Sequence, residues 1–292
     1  MFTRDYEVIE QIGTGRFGVV SKIKSRKNAE IFAVKSIDKS SISDDNIDKQ
    51  SLINEPKALH LLSLSSTSSC HITRLHSTYD SPSHLHLILD YSPFPTLYDV
   101  VSLRQRISEH DSRSITFSLL HCILHCHENG VVHRDIKPDN ILVDTNSLQV
   151  KLCDFGSSGF IDNSKNNEDN VMLMNEVVGT PYYVAPEILE GNGYDEKVDV
   201  WSVGVVLYIM LAGFPPFYGE RVEEVFDMVL KGNLRFPFRV FGNFNSVVKD
   251  LLRKMICKDV SRRLSAQEAL RHPWFTTSGG QPINNDMMNQ YN

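Results

Sequence analysis

The sequence of 292 residues has no apolar run long enough to cross a lipid bilayer. Its longest apolar stretch, residues 203–212, is about half of the roughly 20 residues that a spanning helix needs, so it predicts a buried helix. The amino terminus carries no apolar segment of the kind that directs secretion. A long basic run is also missing, and 30 Lys and Arg residues against 36 Asp and Glu residues give a net charge of −6. These absences argue against a membrane or a nucleic acid as a partner.

Cysteine is scarce, with five residues in the whole chain. An odd number without a secretion signal predicts free thiols in a reducing compartment, and we therefore expect a cytoplasmic protein. Histidines and cysteines are concentrated between residues 121 and 127, where they could share a helix face and hold a metal ion. Because no second pair of ligands accompanies them, we interpret them as core residues of a helix.

Periodicity divides the chain into a β-rich first part and a helical remainder. Residues 7–12, 19–24 and 31–37 are predicted to be strands, and residues 45–64 a helix. Apolar residues at helical spacing then predict an amphipathic helix through Ile115, Leu119, Leu120, Ile123 and Leu124. Residues 198–211 are apolar on nearly all sides, which suits a buried helix. The polar residues 162–170 predict a flexible loop, and residues 276–292 a loose tail.

A glycine-rich segment follows the first predicted strand. It reads Gly13, Thr14, Gly15, Arg16, Phe17, Gly18, Val19 and Val20. Glycines allow backbone amides to approach phosphate oxygens where a side chain would collide. Such segments are common, and dinucleotide-binding folds place a helix after a similar one. Because a strand follows here, the pattern favours a flap over a nucleotide.

Lys35 lies near the end of the third predicted strand, residues 31–37, which also contains Ala33. A lone lysine at such a position is usually a surface residue, and Glu55 alone would be a solvated helix position. One strand beyond a glycine flap, the same lysine becomes a candidate ligand for nucleotide phosphates. It then needs an acidic partner, and we predict that Glu55 is that partner.

Three further motifs follow in the second part of the chain. Residues 133–140 read His-Arg-Asp-Ile-Lys-Pro-Asp-Asn, residues 154–156 read Asp-Phe-Gly, and residues 185–187 read Ala-Pro-Glu. Together with the glycine segment, Lys35 and Glu55, they resemble the motif set of the protein kinase family, in order, over about residues 6–275. The resemblance implies an α+β, bilobal fold with a small β-rich lobe at about 6–90 and a larger helical lobe at about 96–275.

The resemblance also implies roles for individual residues. Asp135, Lys137 and Thr180 are the expected catalytic residues, with Asp135 accepting or orienting the proton of the substrate hydroxyl. Asn140 and Asp154 are expected to hold magnesium ions. Residues expected to bind ATP are Ile12, the glycine segment 13–20, Ala33, Lys35, Glu55 and Leu142. Two structural roles are implied as well: Asp199 anchors the catalytic loop, and Glu187 pairs with Arg263.

The choice of substrate hydroxyl follows from the same resemblance. Lys137 within the catalytic loop and the residues Gly-Thr-Pro-Tyr-Tyr at 179–183 are typical of serine/threonine kinases. The amino-acid sequence is most similar to the calcium-dependent kinase branch of the family. At residues 54–57 and 195–202 it is similar to plant phosphoenolpyruvate carboxylase kinases. This implies a monomeric kinase acting on phosphoenolpyruvate carboxylase. Only 17 residues follow Phe275 and no Asp-x-Asp-x-Asp-Gly calcium loop occurs, so direct calcium control is not expected.

Some positions depart from the family pattern or allow two interpretations. Pro56 directly follows Glu55 and predicts a helix start or kink there. Relatives have a carboxylate at the position of Thr96, and this carboxylate binds either the ribose of ATP or a basic residue of the substrate. A preference of this chain for substrates with an arginine before the phosphorylated residue is therefore in doubt. Glu176 could pair with Arg134 and replace an activating phosphate, or it could be an ordinary loop residue.

Two alternative functions are compatible with the fold class. A scaffold without activity would lack at least one catalytic residue, whereas all six are present in this sequence: Lys35, Glu55, Asp135, Lys137, Asn140 and Asp154. A phosphotransferase for small molecules has less support, because residues 179–187 resemble a peptide-binding platform.

Overall fold

The computed structural model describes residues 2–15, 18–42, 46–64, 71–161, 180–191 and 193–276. Several positions singled out above lie outside these ranges: Arg16, Phe17, Glu176, the polar loop 162–170 and the tail after residue 276. Their predictions therefore stay predictions.

A five-stranded antiparallel sheet forms the first lobe. Its strands are β1 (Tyr6–Gly15), β2 (Gly18–Ser25), β3 (Ile31–Asp38), β4 (Leu75–Asp80) and β5 (His84–Asp90), in the order β1-β2-β3-β5-β4. The three strands predicted from alternation are confirmed. Alternate side chains separate onto the two faces. Val34 packs with Ile23 and Ile88 in a small outer cluster, whereas Ala33 joins the main core beside the second lobe.

Helix α1 (Asn46–Leu64) connects β3 to β4 and carries Glu55. The predicted helix is confirmed, but it does not start at Pro56, which lies inside it. Proline removes one backbone donor at a cost of roughly 3 kcal/mol in an isolated helix. Here Ala58, Leu59 and Leu62 are buried against the core, and this packing offsets the loss.

The second lobe is helical. Its helices are α2 (Leu97–Arg104), α3 (Glu109–Glu128), α4 (Pro186–Glu190), α5 (Lys197–Ala212), α6 (Val222–Lys231), α7 (Phe238–Phe241), α8 (Ser246–Met255), α9 (Ala266–Leu270) and α10 (Pro273–Thr276). Every residue of α5 from Val198 to Ala212 is buried, as its apolar composition predicts. The predicted amphipathic helix is α3. In the part of the chain that the structure describes, no helix combines the length and apolarity needed to span a bilayer.

Two short strand pairs lie between the sheet and the helices. Strand β6 (Val131–Val132) pairs with β9 (Gly159–Phe160), and β7 (Ile141–Val143) pairs with β8 (Val150–Leu152). Residues 133–140 and 153–158 emerge from these strands, so the pairs hold the two central motifs side by side. Residues 91–96 link β5 to α2, close to the link predicted from the sequence.

The histidines and cysteines of α3 point in several directions and have other partners. Cys122 Sγ donates to the carbonyls of Ser118 and His71, and His125 Nε2 lies 3.4 Å from the carbonyl of Leu62. Within the described ranges, no group of three or more His, Cys, Asp or Glu side chains is arranged to hold a metal ion. The interpretation of this segment as helix core agrees with these contacts.

His121, on the same helix, predicts acid sensitivity. Burial, with a smaller contribution from His71, lowers the pKa of His121 to about 4. The unfolded chain takes up this proton near pH 6.5, so the free energy of unfolding falls as the pH drops from about 6.5 to about 4. After a discount for its partial exposure we expect a loss of about 2 kcal/mol. Urea unfolding of wild type and His121→Gln at several pH values checks this. A difference between the two that does not change with pH would contradict it.

Candidate active site

A cleft of about 870 Å³ lies between the two lobes. Nine of the predicted nucleotide-binding residues line it: Ile12, Gly13, Thr14, Gly15, Val20, Ala33, Lys35, Glu55 and Leu142. The predicted catalytic and metal-binding residues line it too: Asp135, Lys137, Asn140, Asp154 and Thr180. Residues from both lobes therefore converge on one cavity.

Gly18 and Val19 do not line this cleft, although the sequence predicts nucleotide contacts for them. A Cβ atom on Gly18 would lie 1.9 Å from the carbonyl oxygen of Ser36. The absence of a side chain there lets β2 pack closely on β3. Val19 precedes the lining residue Val20, and alternation along the strand turns its side chain to the other face.

Lys35 connects the two lobes across the cleft. Its Nζ lies 2.9 and 2.7 Å from the two carboxylate oxygens of Glu55 and 2.6 Å from Oδ1 of Asp154. The ion pair with Glu55 that the sequence predicts is therefore formed, despite Pro56. Burial alone would lower the pKa of Lys35, but attraction to both carboxylates outweighs it and raises the pKa above its ordinary value. Lys35 is thus charged and aimed into the cleft.

Asp135 lies at the centre of a hydrogen-bonded group. Lys137 Nζ donates to Oδ2 of Asp135 at 2.7 Å, and the hydroxyl of Thr180 donates to Oδ1 at 2.9 Å. Asn140 Nδ2 reaches Oδ2 at 3.1 Å, and Lys137 also donates to the Thr180 hydroxyl at 3.1 Å. Since Oδ1 receives one donor from the described residues, it keeps a lone pair for a hydroxyl entering the cleft.

The backbone around Asp135 adopts a conformation that ordinary residues rarely populate. Arg134 has a φ of 65°, in the left-handed region. The buried carboxylate of Asp199, on α5, accepts the amides of His133 and Arg134, each at 2.8 Å. Burial would raise the pKa of Asp199, but His127, the side chain of His133 and the amide of Arg134 hold it below its ordinary value. Asp199 therefore anchors the strained loop as an acceptor, the role implied by the family resemblance.

Asp154 is positioned by a second strained backbone, with a φ of 62°. The next residue, Phe155, is fully buried with its ring 4.7 Å from that of His133. This packing points the Asp154 carboxylate into the cleft. Burial would raise the pKa of Asp154, but Lys35 holds it below its ordinary value, so the side chain is an anion.

Arg134 reaches from the catalytic loop to the segment after Asp154. It donates to the carbonyls of Ser157 and Ser158 at 2.6 and 3.0 Å and to the Tyr194 hydroxyl at 3.2 Å. The predicted pairing with Glu176 falls outside the described residues.

Glu187 and Arg263 form a buried ion pair, as the sequence predicts. Nη2 of Arg263 lies 2.8 Å from Oε2 of Glu187, and the side chain of Arg263 is 0% exposed. Arg263 also donates to the carbonyls of Cys257 and Lys197 and stacks on Trp201. The pair fixes the start of α4, which follows Thr180 by six residues, to the rest of the helical lobe.

Sequence reasoning missed two carboxylates at the mouth of the cleft. Thr96 caps α2, and Asp99 accepts both its amide at 3.1 Å and its hydroxyl at 2.6 Å. Asp99 and Asp139 both line the cleft, and in the described ranges neither has an ion-pair partner. The pattern Thr-x-x-Asp at 96–99 was the available signal, since it is a capping box.

The residues in the cleft fit a nucleoside triphosphate with magnesium. Among the residues that the structure describes, a Cβ atom on Gly13 or Gly15 would meet no atom closer than 3.8 Å, so the backbone of both glycines faces the open space of the cleft. Lys35 supplies a cation at one side. Asn140 uses its amide nitrogen for Asp135, which leaves its oxygen, and Asp154 supplies a carboxylate. Magnesium is often bound by one or two protein oxygens together with phosphates, and this pair is of that kind.

Comparison with known proteins agrees with this chemistry. Residues 6–275 match the protein kinase domain family. Myosin light chain kinase A of Dictyostelium discoideum is 33% identical over 98% of this chain and 93% of that protein. Calcium-dependent protein kinase 29 of Arabidopsis thaliana is 34% identical over 97% of this chain. The human serine/threonine-protein kinase DCLK3 is 35% identical over 94%.

These relatives differ in how much of their length the chain spans. It covers 51% of the Arabidopsis protein and 41% of the human one, so about half or more of each of these two proteins lies outside the matched region. The relatives include a myosin light chain kinase, a calcium-dependent protein kinase and a serine/threonine-protein kinase. From its match and its relatives, this chain belongs to the protein kinase family and is a protein serine/threonine kinase.

Proposed function

We propose that Asp135 is the acceptor for the proton of a substrate serine or threonine hydroxyl as that oxygen receives the γ-phosphoryl group of ATP. The observation that carries this is the arrangement of Lys137 and Thr180 around Asp135, at 2.7 and 2.9 Å. The two donors fix the orientation of the carboxylate, and one of its oxygens keeps a lone pair facing the cleft. A positioned base of this kind contributes to the rate without forming a covalent intermediate.

The remaining residues neutralise and orient charge. Lys137 lies 3.1 Å from the Thr180 hydroxyl and 2.7 Å from Asp135, so its charge is beside the place where the substrate oxygen would bond to the γ-phosphorus as ADP leaves. Lys35 is held by Glu55 and faces the inner cleft, where its charge suits nucleotide phosphates. Magnesium, when bound, neutralises charge on the transferring group, and Asn140 and Asp154 are the residues that would hold it. The work of the protein is therefore mostly positioning and electrostatic stabilisation.

The mouth of the cleft favours a protein substrate with a basic residue near the phosphorylated hydroxyl. Asp99 and Asp139 are exposed there and leave their charges uncompensated among the described residues. A peptide that reaches Asp135 passes this rim, and opposite charges attract across it. Asp99, three residues after Thr96, thus supplies the carboxylate that relatives have at the position of Thr96.

The specific substrate we propose is phosphoenolpyruvate carboxylase, phosphorylated without calcium by a cytoplasmic monomer. The support is the resemblance of residues 54–57 and 195–202 to plant kinases of that enzyme, together with the missing calcium loop. A competing substrate comes from a relative, since one similar protein is named as a myosin light chain kinase. The two substrates are unrelated proteins, so one assay distinguishes them.

We expect purified protein and Mg-ATP to phosphorylate phosphoenolpyruvate carboxylase on a serine, at the same rate with and without a calcium chelator. Matched assays use myosin light chain and a pair of peptides that differ by one upstream arginine. Transfer to the light chain but not to the carboxylase would discard the proposed substrate and keep the enzyme class. A rate that collapses in chelator would overturn calcium independence.

A further inference from the structure

Helix α1 places Glu55 in the cleft, but few apolar residues are buried in the part of the helix that precedes Glu55. Its buried apolar positions, Ala58, Leu59 and Leu62, all follow Glu55. Between residues 49 and 54 none is fully buried: Leu52 is partly buried against the core, and Ile53 is 65% exposed. Polar contacts therefore add to the packing of Leu52 in holding the part of the helix that brings Glu55 to Lys35.

Two side chains next to Glu55 contact the segment that follows Asp154. Asn54 Nδ2 donates to the carbonyl of Ser158 at 2.9 Å, in a partly buried bond. The Lys57 ammonium lies 3.9 Å from the ring centroid of Phe160, which is a cation–π contact. Asn54 and Lys57 flank Glu55 on the helix, so both ends of this short stretch are tied to the same segment, residues 158–160.

Residues 158–160 are held from the opposite side by the catalytic loop. Arg134 donates to the same Ser158 carbonyl at 3.0 Å, and β9 pairs with β6 directly before His133. A carbonyl oxygen has two lone pairs, and here one receives α1 and the other the catalytic loop. Ser158 is 0% exposed, so little water competes for either bond. This single oxygen joins the helix that carries Glu55 to the loop that carries Asp135.

We propose that Asn54 is a positioning residue for phosphoryl transfer, supported by Lys57, and that it acts by keeping Glu55 against Lys35. The inference rests on the proposed function. When the bond from Asn54 to Ser158 is absent, α1 is free to move Glu55 away from Lys35, and Lys35 loses the partner that orients it. The fraction of molecules with a complete site then falls, and the measured kcat falls with it.

A double-mutant cycle on Asn54 and Glu55 tests this. We expect Asn54→Ala to lower kcat about tenfold, since a partly buried hydrogen bond is lost. In a Glu55→Gln background the same substitution has little further effect, because Asn54 acts through Glu55. Lys57→Met also lowers kcat, and Lys57→Arg restores it since guanidinium keeps the contact with Phe160. Ile53→Ala, an exposed neighbour on α1, serves as the matched control.

The outcomes separate this inference from the function on which it rests. Wild-type protein that transfers no phosphate to any peptide overturns the proposed function and the inference together. Active wild type with unchanged kcat in Asn54→Ala overturns the inference alone. So does a tenfold loss that is repeated in full in the Glu55→Gln background, because Asn54 would then act independently of Glu55. A lower melting temperature with unchanged kcat assigns Asn54 to stability only.

Discussion

Asp135→Asn is expected to lower kcat by about 10²- to 10⁴-fold while ATP affinity changes only a few-fold. The substitution keeps the shape of the side chain and most of its acceptor geometry toward Thr180, but it removes the charge and the basic oxygen. ATP affinity is spared because the cations and glycines of the inner cleft, Lys35 among them, lie apart from this group. Steady-state phosphorylation of a peptide and equilibrium binding of ATP measure the two quantities separately.

The matched control for this variant is Asp227→Asn, which makes the same chemical change on the exposed face of α6. It is expected to retain wild-type kcat. Asp227→Asn should unfold at the wild-type temperature. Asp135→Asn should unfold at a somewhat lower temperature, because an amide nitrogen in place of Oδ2 would face the donors of Lys137 and Asn140, and retained ATP binding shows that it is folded. Turnover of Asp135→Asn within a few-fold of wild type would show that another group accepts the proton.

Arg263→Met is expected to lower the free energy of unfolding by about 3–5 kcal/mol. It leaves the carboxylate of Glu187, which is 7% exposed, buried without its cation. It also removes the donors that satisfy the carbonyls of Cys257 and Lys197. Urea unfolding curves of wild type and variant give the difference, since the midpoint shifts in proportion to stability.

The double variant Glu187→Gln with Arg263→Met distinguishes the ion pair from general packing. Removing both charges should cost less than the sum of the single substitutions, by about 1–3 kcal/mol, because no unpaired charge remains. Arg262→Met, the exposed neighbour, is the control and should be close to neutral. Additive losses for Glu187 and Arg263 would mean that the charges are not coupled.

The chemical groups of the cleft were predictable from sequence because each belongs to a short local motif. Residues 133–140 lie on one loop, and the resemblance of this segment to the family motif predicted the roles of Asp135, Lys137 and Asn140. The pairing of Lys35 with Glu55 was also predictable, although these residues lie in different elements. That prediction required the resemblance to a family, since a lone lysine and a lone glutamate carry no signal of contact.

The contacts that support the cleft were harder to predict. The bond from Asn54 to Ser158 joins residues 104 positions apart, and neither belongs to a motif that demands the other. Asp99 was not predicted as a cleft residue. The capping function of its side chain is local and visible in sequence, whereas its position in the cleft depends on the tertiary structure. The expectation that the helix could start at Pro56 was wrong for the opposite reason. The local cost of Pro56 is real, but the packing of the following residues on the core outweighs it.

The position of Gly18 and Val19 away from the lining of the cleft has a similar origin. A glycine pattern indicates where side chains are absent and leaves open what occupies the space. For Gly18 that neighbour is the Ser36 carbonyl of β3, whereas for Gly13 and Gly15 it is the cleft. Three glycines of one motif therefore have two different physical reasons for lacking a side chain.

The most direct test of the account is transfer of labelled γ-phosphate from Mg-ATP to serine- and threonine-containing peptides by the purified protein, with the modified residue identified. The account predicts phosphoserine or phosphothreonine that forms with wild type and is lost with Asp135→Asn. Binding of ATP without transfer to any peptide, or transfer that Asp135→Asn performs as fast as wild type, would contradict it.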